Sequence, residues 1–206
     1  MRVQLKPQRR NPDRTSVFID GKYAFSVDKE TLKRMGYFTE AEISEDELDK
    51  LLYETERTQA RNYAFRLLSY RMRTSKEIKE RLMKRKYSEI VIQDVLAELN
   101  SLGLIDDEKF AENFVRDRLN FALKGKQMIF AELIKKGINE EVIKNALKSI
   151  SDQQEESACL KLIRKYEPRY RNLAKIKRQQ RIYSLLNRRG FSYATIKKVL
   201  KLNEEN

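Results

Sequence analysis

Apolar residues fall at helical spacing through most of this chain, and one spacing pattern recurs three times. Ile78–Leu96, Ile129–Leu147 and Ile182–Leu200 superpose without a gap. Ile78, Ile129 and Ile182 coincide, as do Leu82, Leu133 and Leu186; Tyr87, Ile138 and Phe191; Ile92, Ile143 and Ile196; and Leu96, Leu147 and Leu200. The copies begin 51 and 53 residues apart. A fixed period of this length in a helical sequence marks a tandem array of one supersecondary unit. Such arrays are quasi-one-dimensional and present a long surface to an extended partner, which favours binding over catalysis.

Each repeat reads as three helices. In the first they lie at about Thr58–Met72, Ser75–Arg85 and Ser88–Leu102, in the second at Asp107–Leu123, Lys126–Lys136 and Glu140–Ile150. In the third they lie at Gln153–Tyr166, which Pro168 ends, Asn172–Arg189 and Tyr193–Leu202. Thr74-Ser75-Lys76-Glu77 predicts a capping box. Asp106 reads as the N-cap of the second repeat, with Ile105 and Phe110 as its hydrophobic staple. The turn between the second and third helices repeats as Lys84-Arg85-Lys86-Tyr87-Ser88, Lys135-Lys136-Gly137-Ile138-Asn139 and Arg188-Arg189-Gly190-Phe191-Ser192. Gly137 and Gly190 are expected just past a helix end at positive φ, and Lys86 holds that place in the first repeat at a conformational cost. Ser88, Asn139 and Ser192 are expected N-caps.

The first forty residues differ. Ser16–Ile19 and Lys22–Val27 are β-rich runs around Asp20-Gly21, a strong hairpin signal. Val3–Lys6 is a candidate third strand. A lone hairpin is marginal, so it should pack on a helix or pair elsewhere. Asp28 can cap a short helix from Lys29 to Met35, closed by Gly36. Ser44-Glu45-Asp46-Glu47 reads as a capping box opening a helical stretch to Arg73, with an expected break near Thr55–Thr58. The fold expected is mainly α: tandem three-helix repeats in an elongated array with a small N-terminal β-hairpin leader. The expected segments are a leader at 1–57 and repeats at 58–103, 104–151 and 152–206.

Charged residues make up 36% of the 206 residues and the net charge is +13. From Lys161 to Lys201 there are fourteen Lys or Arg and one acid, Glu167, so this block carries the entire net charge of +13. A cationic block attracts polyanions, nucleic acid foremost; a merely solubilising face would mix both signs. The candidate contact residues are Lys175, Lys177, Arg178, Arg181, Arg188, Arg189, Lys197 and Lys198. The turn cations Lys84, Arg85, Lys135 and Lys136 follow, then Arg71 and Arg73. The turn pairs have two readings: cations offsetting the helix macrodipole, or a ladder of charge for a periodic partner.

The single cysteine, Cys159, lies in an apolar helical context and reads as a core thiol in a reducing, cytoplasmic compartment. The chain has no histidine, which removes the commonest general base and metal ligand. No zinc-type cysteine spacing, phosphate loop or nucleophile motif occurs. Asp106-Asp107 is accounted for by capping, with Asp107 a first-turn acid, as are the first-turn acid pairs Glu140-Glu141 and Glu155-Glu156. No catalytic set, metal or cofactor is expected. No apolar run approaches the ~18 residues of a membrane span, and the basic amino terminus lacks a signal-peptide core.

The stretch Ala64-Phe65-Arg66-Leu67-Leu68-Ser69-Tyr70-Arg71-Met72-Arg73-Thr74-Ser75-Lys76-Glu77-Ile78 resembles the opening signature of the bacterial RecX family. Gly103-Leu104-Ile105-Asp106-Asp107-Glu108-Lys109-Phe110-Ala111, Gly125, and Glu132-Leu133-Ile134-Lys135-Lys136-Gly137-Ile138 also resemble it, and the likeness covers about Ala60 to Leu202. The resemblance implies a curved, all-helical modular array. It also implies a regulator, mostly negative, of the RecA recombinase. Such a protein binds the RecA filament on single-stranded DNA, lies in its helical groove, and inhibits ATPase and strand exchange. The contact residues named above come from charge and repeat position; the family motif does not single them out. A monomer is expected. The competing reading is a free-standing DNA-binding protein, since three-helix units with basic helices resemble helix-turn-helix domains. It would bind naked DNA with a steep salt dependence.

Overall fold

Asp20 and Gly21 both take positive φ, +46° and +81°, as a tight two-residue hairpin turn requires. They join β2 (Arg14–Ile19) to β3 (Lys22–Asp28). In this computed structural model, which describes residues 2–37, 41–42 and 44–202, the candidate third strand is present as β1 (Arg2–Pro7). A two-residue β4 (Ala41–Glu42) completes an antiparallel sheet of order β3-β2-β1-β4. The leader is therefore a small sheet, larger than a hairpin. Its buried face, Val3, Val17 and Val27, packs with Leu32 of α1 (Lys29–Arg34) and Leu51 of α2 (Glu45–Tyr70). That contact supplies the core a lone hairpin lacks.

Asp28 caps α1 by accepting from Thr31 N–H at 2.8 Å, and Ser44 with Glu47 forms the expected capping box of α2. The break expected near Thr55–Thr58 does not occur. α2 runs unbroken through the 57/58 position, and both threonine hydroxyls find partners without interrupting it. Thr55 Oγ1 donates back to Leu51 O at 2.7 Å, and Thr58 Oγ1 shares a buried hydrogen bond of 3.1 Å with Thr31 Oγ1.

The repeats follow as α3 (Ser75–Lys84) and α4 (Glu89–Ser101) after α2, then α5 (Asp107–Asn120), α6 (Lys126–Lys135) and α7 (Glu140–Lys148). The last set is α8 (Asp152–Tyr166), α9 (Lys175–Arg188) and α10 (Tyr193–Leu202), with a 3₁₀ turn at Glu167–Tyr170 holding Pro168. The aligned apolar positions are core: Ile78, Leu82, Ile129, Leu133, Ile182, Leu186, Ile92, Ile143 and Ile196 are all buried. Asn139 and Ser192 cap as expected, accepting from Glu141 and Thr195 N–H. Ser88 occupies the N-cap position but makes no side-chain cap; its hydroxyl donates to Glu56 of α2.

The chain divides into two compact units, one of Met1–Arg71 with Ile78–Leu104, the other of Met72–Glu77 with Ile105–Asn206. Within the second unit a single apolar cluster runs from Phe110 to Val199.

Candidate interaction surface

Within the second unit, helix ends meet in the same way twice. A helix C-terminus leaves carbonyls without partners, and a helix N-terminus leaves N–H groups. Gly125 N–H, at the start of α6, donates to Arg189 O at 2.8 Å, and Gln127 N–H donates to Gly190 O at 3.1 Å. At the matching place before α3, Thr74 Oγ1 donates to Lys136 O at 2.8 Å and Lys76 Nζ to Lys135 O at 3.2 Å. An acid from the first helix of the following repeat completes each meeting. Asp107 accepts from Ser75 N–H and Glu155 from Lys126 N–H, both at 3.0 Å. A positive helix start thus faces a negative helix end, with a carboxylate beside the start, which the macrodipoles favour. The turns permit this closeness only with glycine. A Cβ on Gly190 would press on the backbone of Met128, and one on Gly137 on the Lys76 side chain.

These turns carry the basic pairs, and the two members of each pair behave differently. The first members, Lys84, Lys135 and Arg188, are exposed. The second members each make a contact within the protein, although Arg85 is itself exposed. The Arg85 guanidinium lies 4.0 Å from the centre of the Tyr63 ring. Lys136 Nζ donates to Glu77 Oε1 at 2.6 Å and lies 5.4 and 5.6 Å from the Phe110 and Phe114 rings. Arg189 donates to Ala122 O at 3.1 Å and to Tyr166 Oη at 3.5 Å. Each second cation reaches an aromatic residue on the first helix of its own repeat, an attraction of about 0.5–1 kcal/mol where it is a cation–π contact at a partly exposed site.

Of the remaining candidates, Lys175, Lys177, Arg181 and Lys197 are exposed, with no ion pair among the described residues. Arg178 is half-buried. Lys198 pairs with Glu156 at 2.6 Å, and Arg73 lies 3.9 Å from Glu77; Arg71 is exposed. Asp107 and Glu155 were legible only as first-turn acids; the donors they serve lie on another helix. Cys159 is fully buried, and burial first, then the Glu155 and Glu156 charges, push its thiol up to about 12. No described helix is long and apolar enough to cross a membrane. Among the described residues no group of three or more His, Cys, Asp or Glu could hold a metal ion.

Residues 60–99, 106–147 and 153–200 match the family models of the first, second and third three-helix domains of RecX. Residues 4–43 match that of the regulatory protein RecX N-terminal domain. The chain belongs to the RecX family. The regulatory protein RecX of Bacillus subtilis is 32% identical over 194 residues, covering 94% of this chain and 74% of that protein. RecX of Caldanaerobacter subterraneus subsp. tengcongensis is 31% identical over 196 residues, covering 95% and 96%. A crystal structure of regulatory protein RecX superposes with a TM-score of 0.77 at 28% identity, covering 97% of this chain and 99% of that one. RecX from Lactobacillus salivarius gives 0.69 at 30% identity, covering 73% and 98%. The RecX leader, whose model match covers residues 4–43, coincides with the sheet and the start of the path into α2, and the three RecX repeats with the helix triplets described above.

Proposed function

We propose that this chain modulates the RecA recombinase, mostly as an inhibitor, by binding the filament that RecA forms on single-stranded DNA. In this reading it lies in the filament groove as a cytoplasmic monomer and suppresses ATPase and strand exchange. Membership of a family of regulatory proteins across nearly the whole chain carries the reading. The turn cations support it. Lys84, Lys135 and Arg188 recur at one position of each repeat and are left exposed, while Lys136 and Arg189 beside two of them are held by internal hydrogen bonds. Several weak repeated contacts sum to tight binding where their spacing matches a periodic partner.

The test is the steady-state ATPase of a bacterial RecA on single-stranded DNA, titrated with this protein at near-physiological salt. Inhibition well below one protein per RecA protomer, undiminished by excess DNA, is the expected result. The triple variant Lys84→Glu, Lys135→Glu, Arg188→Glu should need at least about tenfold more protein for the same inhibition. Inhibition abolished by added DNA would instead favour the second reading, in which the exposed cations of α9 and α10 sequester naked DNA.

A further inference from the structure

The turn of the first repeat borders a polar cavity of about 380 Å³ within the first unit. Its walls include Arg14, Arg66 and Arg85, the amides of Asn11, Gln59 and Asn62, and Tyr87. Arg85 is the first-repeat counterpart of Lys136 and Arg189. Those two each hold an aromatic residue of their own repeat and also an acceptor from the preceding one, Glu77 or Ala122 O. Arg85 has the aromatic partner, Tyr63, and no acceptor among the described residues. Arg66 stands 5.7 Å from the same ring, also without a carboxylate. Two exposed guanidiniums therefore flank one tyrosine beside a cavity, with no protein acceptor for their side chains among the described residues.

A helix cannot fill this place as helices do at the other two turns. Those turns have glycine where an added Cβ would collide with the incoming helix. Here the residue is Lys86, exposed at φ +63°, and a side chain stands where the other turns have only a hydrogen. The occupant must be slimmer and must offer oxygen acceptors. Two carboxylates also line the cavity and limit the choice. Asp28 is engaged by Thr31 N–H and Oγ1 at 2.8 and 2.9 Å, and Asp13 is exposed. A simple polyanion would be repelled on that side. A ligand with a phosphate at one end and hydrogen-bond donors at the other suits both. Fork-shaped guanidiniums match phosphate oxygens, side-chain amides read base edges, and the volume lies within the range of small-ligand sites.

We propose that this cavity binds one nucleotide, its phosphate between Arg66 and Arg85 and its base or sugar toward Gln59, Asn62 and Asp13. The nucleotide is either free or one unit of a single strand. The site does not depend on filament binding. The test uses the full chain and an arginine-specific dicarbonyl reagent, with modified residues mapped by mass spectrometry in the presence of dTMP or a twelve-residue oligo-dT. Protection of Arg66 and Arg85, with Arg81 still modified, is expected; the probe that protects at the lower concentration names the source. Equal modification of Arg66 and Arg85 with and without both probes would overturn the proposal. In a second measurement, Arg66→Gln with Arg85→Gln should weaken binding of the protecting probe at least tenfold. Lys50→Gln with Arg81→Gln, the same change of charge outside the cavity, should weaken it far less. Equal losses in the two folded variants would reduce the cavity to general electrostatics and overturn the site.

Discussion

The turn of the first repeat and the turns of the second and third are built alike yet tolerate different residues. All three end a helix, reverse through positive φ and start the next helix: Lys86 at +63°, Gly137 at +81°, Gly190 at +79°. Backbone conformation alone would admit lysine in all three for about 1–2 kcal/mol. What separates them is the helix that arrives on top. Gly137 and Gly190 each lie under the start of an earlier helix; Lys86 is exposed beside the nucleotide-sized cavity. Glycine here therefore records close approach more than it records φ. The second cations follow the same division, since Lys136 and Arg189 bridge to an earlier repeat and Arg85 does not.

Four substitutions sharpen or break that comparison. Gly190→Ala should be the most damaging, at about 3 kcal/mol in urea unfolding, because the added methyl meets the Met128 backbone as well as the positive-φ cost. Cys159 offers a local reading of the same event. Its thiol, raised to about 12, is protonated and inert at about pH 8 until the core opens, so labelling should accelerate in this variant. Gly137→Ala should cost somewhat less, about 2 kcal/mol, because it meets side-chain atoms of Lys76, of which Cδ can move aside and Cβ cannot, and no backbone atom. If the two glycines proved equally costly, φ and not approach would be the controlling factor. Arg189→Gln should cost about 1 kcal/mol, for a half-buried charged donor lost from Ala122 O and Tyr166. Lys86→Gly should have the smallest effect and the opposite sign, a gain of up to about 1 kcal/mol, with Cys159 labelling unchanged. Destabilisation by Lys86→Gly would show that its side chain, and not merely its tolerated φ, is part of the first unit.

Local rules made much of this fold legible. Period and staple positions located the repeats, Asp20-Gly21 the hairpin, and Ser44 and Asp106 two helix starts. The errors have one cause, a partner distant in sequence. The break expected near Thr55–Thr58 is absent, since Thr58 bonds to the distant Thr31 and its helix continues. Ser88 has the type and place of a cap, but Glu56 takes its hydroxyl. Asp107 and Glu155 looked sufficient as first-turn acids, and nothing local shows that each caps a different helix. For the basic pairs, charge alone weighted both members equally. Aromatic residues help distinguish the inner from the outer cation: Tyr63, Phe114 and Tyr166 precede Arg85, Lys136 and Arg189 by nearly the same number of residues, a regularity that charge alone does not reveal.

The donors that open α6 have consequences for how the chain is made. Gly125, Lys126 and Gln127 emerge from the ribosome before Glu155, Arg189 and Gly190, the residues that accept from them. Until those residues follow, the second repeat is synthesised but the amide groups that open its middle helix have only water to bond. Completion of the last repeat is also the step that closes the one before it.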